Sequence, residues 1–226
     1  MPVGIDSVVL LLHVVFFCFW LGTDIGVFYS SKYVLQADLG QEARTYCLKI
    51  MSFLDQLPRV SSFGIIGTGT TIGILRGYFN VAPIWILIVW LICFAWIGVV
   101  LYLYVQEHHP AKIAPVKKWD FRARVVLIIV LATLSLTSLA GHGVTDDKWL
   151  AAKLLVITGI MTCGVMMRLA TRNFGKYFMP MMKGTATPEE TRTAQQMMGN
   201  AKRWVLGIYA LLVVAAALGL WKPFQG

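Results

Sequence analysis

The sequence predicts an all-α integral membrane protein, a bundle of about six membrane-spanning helices forming one domain over residues 1–226. Two observations carry this. Of the 226 residues 58% are hydrophobic, and the mean hydropathy is +0.69, values typical of membrane bundles and rare in soluble domains. The charged residues, only 14% of the chain, fall mainly between long apolar runs instead of alternating with them.

The first apolar run, about 5–31, is too long for the core of a secretory signal, and LGTDIG makes a poor cleavage site. It is expected to be a retained helix. Residues 32–57 are polar and read as a surface helix leading to Pro58. The second span, about 58–79, is the weakest, because SSFGIIGTGTTIGIL is rich in Gly and Thr. Gly69 and Gly73 form a GxxxG that lets another helix approach closely, so packing against protein is favoured over a pore. The third span, about 82–106, has no charge before Glu107 and several aromatics, which suits lipid or a partner subunit. Spans four to six are expected at about 121–142, 148–172 and 203–222. The polar segment 173–202 contains a helix-start signal, TPEE, at Thr187.

Loop charges predict orientation. The net charge of +9 sits in three connections: after the first helix (Lys32, Arg44, Lys49, Arg59), between the third and fourth (Lys112, Lys117, Lys118, Arg122, Arg124), and between the fifth and sixth. The opposite side carries only Arg76, Lys148 and Lys222. By the positive-inside rule the basic loops are cytoplasmic and both termini lie outside, on the periplasmic face of a bacterial inner membrane. The basic balance is thereby explained without nucleic acid. None of the four cysteines forms a CxxC pair, so disulfides and zinc sites are not expected.

Within LLLHVVFFCFWLGTDIGVF a helix wheel places Asp6, His13, Trp20 and Asp24 on one stripe. Ionisable groups at membrane depth are costly and normally face a bundle interior or a cofactor. His13, roughly 12 Å from the outer end of its helix, is the first candidate metal ligand, since imidazole is a standard axial ligand to haem iron; the alternative is a hydrogen-bonded structural histidine. Phe17 and Trp20 would wall a flat ring. His142, at the outer end of the fourth span, is either a second ligand or an interfacial histidine at a helix C-terminus. Lys153 lies more than a turn deeper than Lys148. It is expected to snorkel to the outer interface, to pair with Asp146, Asp147 or Asp6, or to bind a propionate; Arg76 is expected to bind a propionate. All these fall in the outer half, apart from Asp24, to which no role is assigned. His108 and His109 are neighbours on opposite faces and read as a solvated pair; most methionines read as gap-filling apolar residues.

The run His13 to Gly22, H-x6-W-L-G, resembles the first helix of the HemJ-type protoporphyrinogen oxidases and the related CopD-type membrane domains. ARVVLIIVLATLSLTSLAG and KWLAAKLLVITGIMTCGVMMRL resemble later helices of that family, with Trp149, Leu150, Lys153 and Leu154 matching its W-L-x-x-K-L motif. The end, Trp221-Lys222-Pro223-Phe224, is also similar. The resemblance covers about half the chain in two blocks. Two further spans, about 58–79 and 82–106, stand between them, and the family's Asn-Glu-Pro is replaced by GNAKRWVLGIY. It implies haem b bound between the first helix and the later hairpin, with functional roles for His13 and Lys153.

The expected function is therefore a haem b protein acting in electron transfer or in oxidation of a lipophilic substrate, a quinol or a porphyrinogen. His13 and His142 would be metal ligands, Trp20 would pack on the ring, and Arg76 and Lys153 would hold propionates. Lys153 would also be the catalytic group that stabilises an anionic intermediate. The alternatives are a transporter of copper or another small solute, and a cofactor-free accessory subunit docking through 82–106. Other membrane subunits or a second copy are expected partners.

Overall fold

The computed structural model describes residues 4–36 and 39–223. The chain is an all-α, multi-pass membrane protein, with no strand among the described residues. Its helices are α1 (Ile5–Val34), α2 (Gln41–Leu54), α3 (Gln56–Leu75), α4 (Ile84–Val105), α5 (Pro110–Leu139), α6 (Lys148–Ala170), α7 (Phe174–Met182) and α8 (Pro188–Trp221).

Five of these, α1, α4, α5, α6 and α8, are long and apolar enough to cross a bilayer, one fewer than the six spans expected. The exception is α3. Its 20 residues, about 30 Å of helix, match a bilayer in length, but its composition is not lipid-like. The reason is burial. α3 lies between α1 and α4, with Phe63, Thr68 and Gly64 among its buried residues, so it presents little surface to lipid. A Cβ on Gly64 would stand 2.8 Å from the Phe16 ring of α1, and one on Gly67 would stand 3.0 Å from the Trp90 indole of α4. The small residues thus serve close helix packing on two sides, as expected for a run packed against protein.

The six long helices form two layers. α1, α3 and α4 make one, with α3 in the middle; α5, α6 and α8 make the other, with α6 in the middle. The layers approach at two edges, α1 beside α8 and α4 beside α5, while no Cα of α3 comes within 8 Å of a Cα of α6. Side chains meet across parts of this central seam. At its middle, Phe17, Trp20 and Leu21 of α1 meet Ile160 of α6 and Ile208 and Leu212 of α8.

The three basic connections lie at one end of the bundle, here the basic end. There α2, α7 and the first turns of α8 extend the layers, with Val34, Leu35, Phe178, Met181 and Ala194 as their core. At the opposite end the α3–α4 and α5–α6 connections meet: Asn80 N–H donates to Val144 O at 2.8 Å, and Asn80 Nδ2 to Asp146 Oδ2 at 2.6 Å.

Three boundaries differ from the sequence reading. The polar segment before the last span belongs to one 34-residue helix, α8, that starts at a capping box between Thr187 and Glu190. The TPEE signal marks a true helix start, and the good helix formers after it carry the same helix into the apolar run. α5 starts at Pro110, eleven residues before the expected span, because proline suits a first helical position. It stops at Leu139, followed by Gly141 at φ 81°, so His142 lies in a turn and not in the helix. In the C-terminal motif, Phe224 lies outside the described residues.

Candidate functional site

His13 is half-buried on α1 and faces α3. Its Nδ1 lies 2.9 Å from Thr68 Oγ1. The Thr68 hydroxyl is fully buried and donates back to the Gly64 carbonyl at 2.7 Å, the usual habit of a helical threonine. With its proton so used, the hydroxyl oxygen accepts from His13 Nδ1–H. That fixes one neutral tautomer, with the lone pair on Nε2. The Ile65 backbone carbonyl also lies within hydrogen-bonding reach of the ring. Gly69 keeps room for the ring: a Cβ there would stand 3.2 Å from His13 Cε1.

Across the seam, Lys153 of α6 is close enough for its charge to act on the His13 ring. The lysine is mostly buried and forms no ion pair with Asp146, Asp147 or Asp6, the partners expected from sequence. Its ammonium rests against Gly219 of α8, where a Cβ would come within 2.8 Å of Nζ. Nearby on α6, the buried Trp149 indole N–H has no acceptor among the described residues. Its ring lies edge-on to Tyr78, 5.3 Å between centroids, and Lys222 Nζ bonds the Tyr78 hydroxyl at 2.7 Å.

The other expected residues are placed differently. Arg76 is engaged by Asp6, with Nη2 at 2.9 Å and Nε at 3.3 Å from Oδ2. His142 is exposed in the α5–α6 turn, and no hydrogen bond or ion pair links its side chain to His13. Trp20 sits deeper in the seam, in the apolar cluster with Ile160, Ile208 and Leu212. The structure thus puts Lys153 within electrostatic range of His13, places Trp20 in the apolar cluster of the seam, and leaves Arg76 and His142 exposed.

The basic half, expected to hold little beyond Asp24, contains the strongest polar cluster. Asp120 on α5 is 0% exposed. Its carboxylate accepts from Trp96 Nε1 of α4 at 2.6 Å, Arg124 Nε at 3.0 Å, and Arg168 Nη1 of α6 at 2.6 Å. The Arg124 guanidinium also lies over the Phe63 and Trp96 rings, at 5.5 and 5.6 Å. One carboxylate therefore ties three helices from both layers. A signal was present: Asp120 and Arg124 stand at i and i+4 where the fourth apolar run begins. Their partners Trp96 and Arg168 are distant in sequence, and Arg124 read there only as a loop charge.

Two cavities open in this half. The larger, about 680 Å³, lies at the basic end and includes Asp55, Arg59 and Arg168 in its wall. The smaller, about 90 Å³, shares those three residues and reaches Trp20 and Asp24. Asp24 has the Tyr209 hydroxyl beside it and feels the charges of Asp55 and Arg59. Of the expected site residues only Trp20 lines either cavity.

No family model, curated protein or solved structure matches this chain.

Proposed function

We propose that this chain is a haem b-binding membrane protein that works in electron transfer or oxidises a lipophilic substrate, a quinol or a porphyrinogen. Its basic end would lie in the cytoplasm and both termini at the periplasmic face of a bacterial inner membrane. One observation carries the reading: the Thr68 oxygen accepts from His13 Nδ1, which leaves Nε2 as the ring nitrogen a metal would take. A metal-ligating histidine has this arrangement, with one ring nitrogen bonded to protein and the other left for the metal. The donor set at this end of the seam fits a haem: an imidazole nitrogen, the Lys153 ammonium, and the Trp149 N–H that lacks an acceptor.

The group would supply one-electron chemistry in a low-dielectric setting. His13 would hold it. Lys153 has no carboxylate partner among the described residues, so its charge would be available to a propionate or to an anionic intermediate. Arg76 already serves Asp6 through Nε and Nη2, and only its remaining donors would reach a propionate. His142 would supply a second ligand only by moving from its exposed turn. An absorption spectrum of the purified protein, oxidised and reduced, tests this. A Soret band lost in His13→Ala supports it, and colourless, iron-free wild type overturns it.

A second reading is a transporter of a small solute. It is favoured by the two cavities that share Asp55, Arg59 and Arg168 and lead from the basic end to Trp20 and Asp24. Metal analysis, together with solute uptake by cells with and without the protein, separates the two.

A further inference from the structure

The larger cavity is walled by six cationic side chains, Arg59, Lys117, Lys118, Arg122, Arg168 and Arg172, against two carboxylates, Asp55 and Glu107. Asp55 is already paired with Arg59, one turn along α3. The cations come from three helices and the turn after α6. Orientation by loop charge needs basic residues on one side of a membrane, but it does not require them to converge on one hollow. Arg168 is also fixed in advance: its Nη1 is held 2.6 Å from the buried Asp120 carboxylate, which leaves other guanidinium donors at the cavity wall. A guanidinium positioned before a ligand arrives gives up less freedom on binding. The remaining wall includes Leu103 of α4, Phe121 of α5 and Leu169 of α6. At about 680 Å³ the space matches sites for small-molecule ligands.

We propose that this cavity binds the phosphate of an anionic lipid, with the acyl chains along the apolar wall. The phosphate anion is the recognised chemistry, and a soluble phosphate ester would satisfy the cations equally. The apolar wall between helices at the membrane's edge points to the lipid. Basic hollows between membrane helices on the side of the basic loops are suited to anionic head groups. The site is independent of any group held at His13.

The test uses the full chain in detergent micelles and follows its thermal unfolding as ligand is added. Short-chain phosphatidylglycerol, short-chain phosphatidylcholine and inorganic phosphate are titrated separately. Stabilisation by phosphatidylglycerol and not by phosphatidylcholine is expected. The triple variant Lys117→Gln, Lys118→Gln, Arg172→Gln should bind it about a hundredfold more weakly. All three side chains are exposed, so its unfolding without lipid should match wild type. If inorganic phosphate alone reproduces the stabilisation, the phosphate site stands and the lipid assignment falls. Equal responses to both lipids with none to phosphate overturn the proposal, as does a triple variant that binds like wild type. Should the triple variant not fold, the salt dependence of phosphatidylglycerol binding to wild type decides. Affinity that falls steeply with salt supports the site, and affinity indifferent to salt overturns it.

Discussion

His13 and Thr68 stand 55 positions apart in the chain, yet His13 Nδ1 lies 2.9 Å from the Thr68 oxygen. Because the Thr68 proton is spent on Gly64, the pair acts in one direction: the threonine accepts and the histidine donates. Thr68→Val keeps the shape and removes the acceptor. On the haem reading, haem retention should fall about 10- to 100-fold in Thr68→Val, the usual cost of losing such a partner. The ratio of Soret to protein absorbance in matched preparations measures this. An unchanged ratio would mean that His13 is not oriented through Thr68.

His142 gives a cleaner contrast, because it is exposed and outside any helix. His142→Ala should leave pigment, yield and melting temperature as in wild type, while His13→Ala loses the pigment. If both variants lose it equally, His142 reaches the metal after all and the turn rearranges on binding.

Asp120 predicts the largest loss of stability. Removing the carboxylate in Asp120→Ala leaves Arg124 and Arg168 without their shared anion in a buried setting. The loss should be about 3–5 kcal/mol, read from unfolding in mixed micelles. Asp120→Asn keeps an acceptor for the Trp96 indole and should lose less. Equal stability in all three proteins would show that the cluster is solvated and contributes little.

Gly64→Leu tests the packing of α3. The Phe16 ring already fills the place of a Cβ, so a larger side chain must push α1 away. The expected cost is about 1–3 kcal/mol or a shift of α1 relative to α3. Cross-linking of cysteine pairs placed on α1 and α3 reports the shift. Gly98, which has open space around it, is the control and should accept Leu without effect.

Much of the architecture was legible because a bilayer imposes one strong rule: long helices must be apolar where they meet lipid. α4 illustrates this, with Trp85, Leu87, Leu91 and Phe94 exposed along an uncharged helix. The same rule fails for α3, whose neighbours are protein, and that is why its sequence looked weak. The extent of α8 was not legible. A helix that leaves the membrane keeps its hydrogen bonds, so the hydropathy drop before Trp204 marks a change of surroundings and not an end. At the candidate site, His13 and Lys153 stood out because each is an ionisable residue in an apolar run. Thr68 did not stand out, since threonine is ordinary in a membrane helix and its role arises from a contact with α1. Asp120 was missed for a related reason: two of its three partners come from α4 and α6.

The burial of α3 also bears on how the protein is made. As it leaves the ribosome, α3 has α1 ahead of it and α4 not yet synthesised. Its serines, threonines and glycines give it little drive to enter lipid alone. Until α4 is made, α3 has protein on its α1 side and nothing yet on the other. The first half of the chain, to Val105, is the smallest unit that holds both helices packed most closely on α3. A nascent chain halted before α4 would leave it stranded.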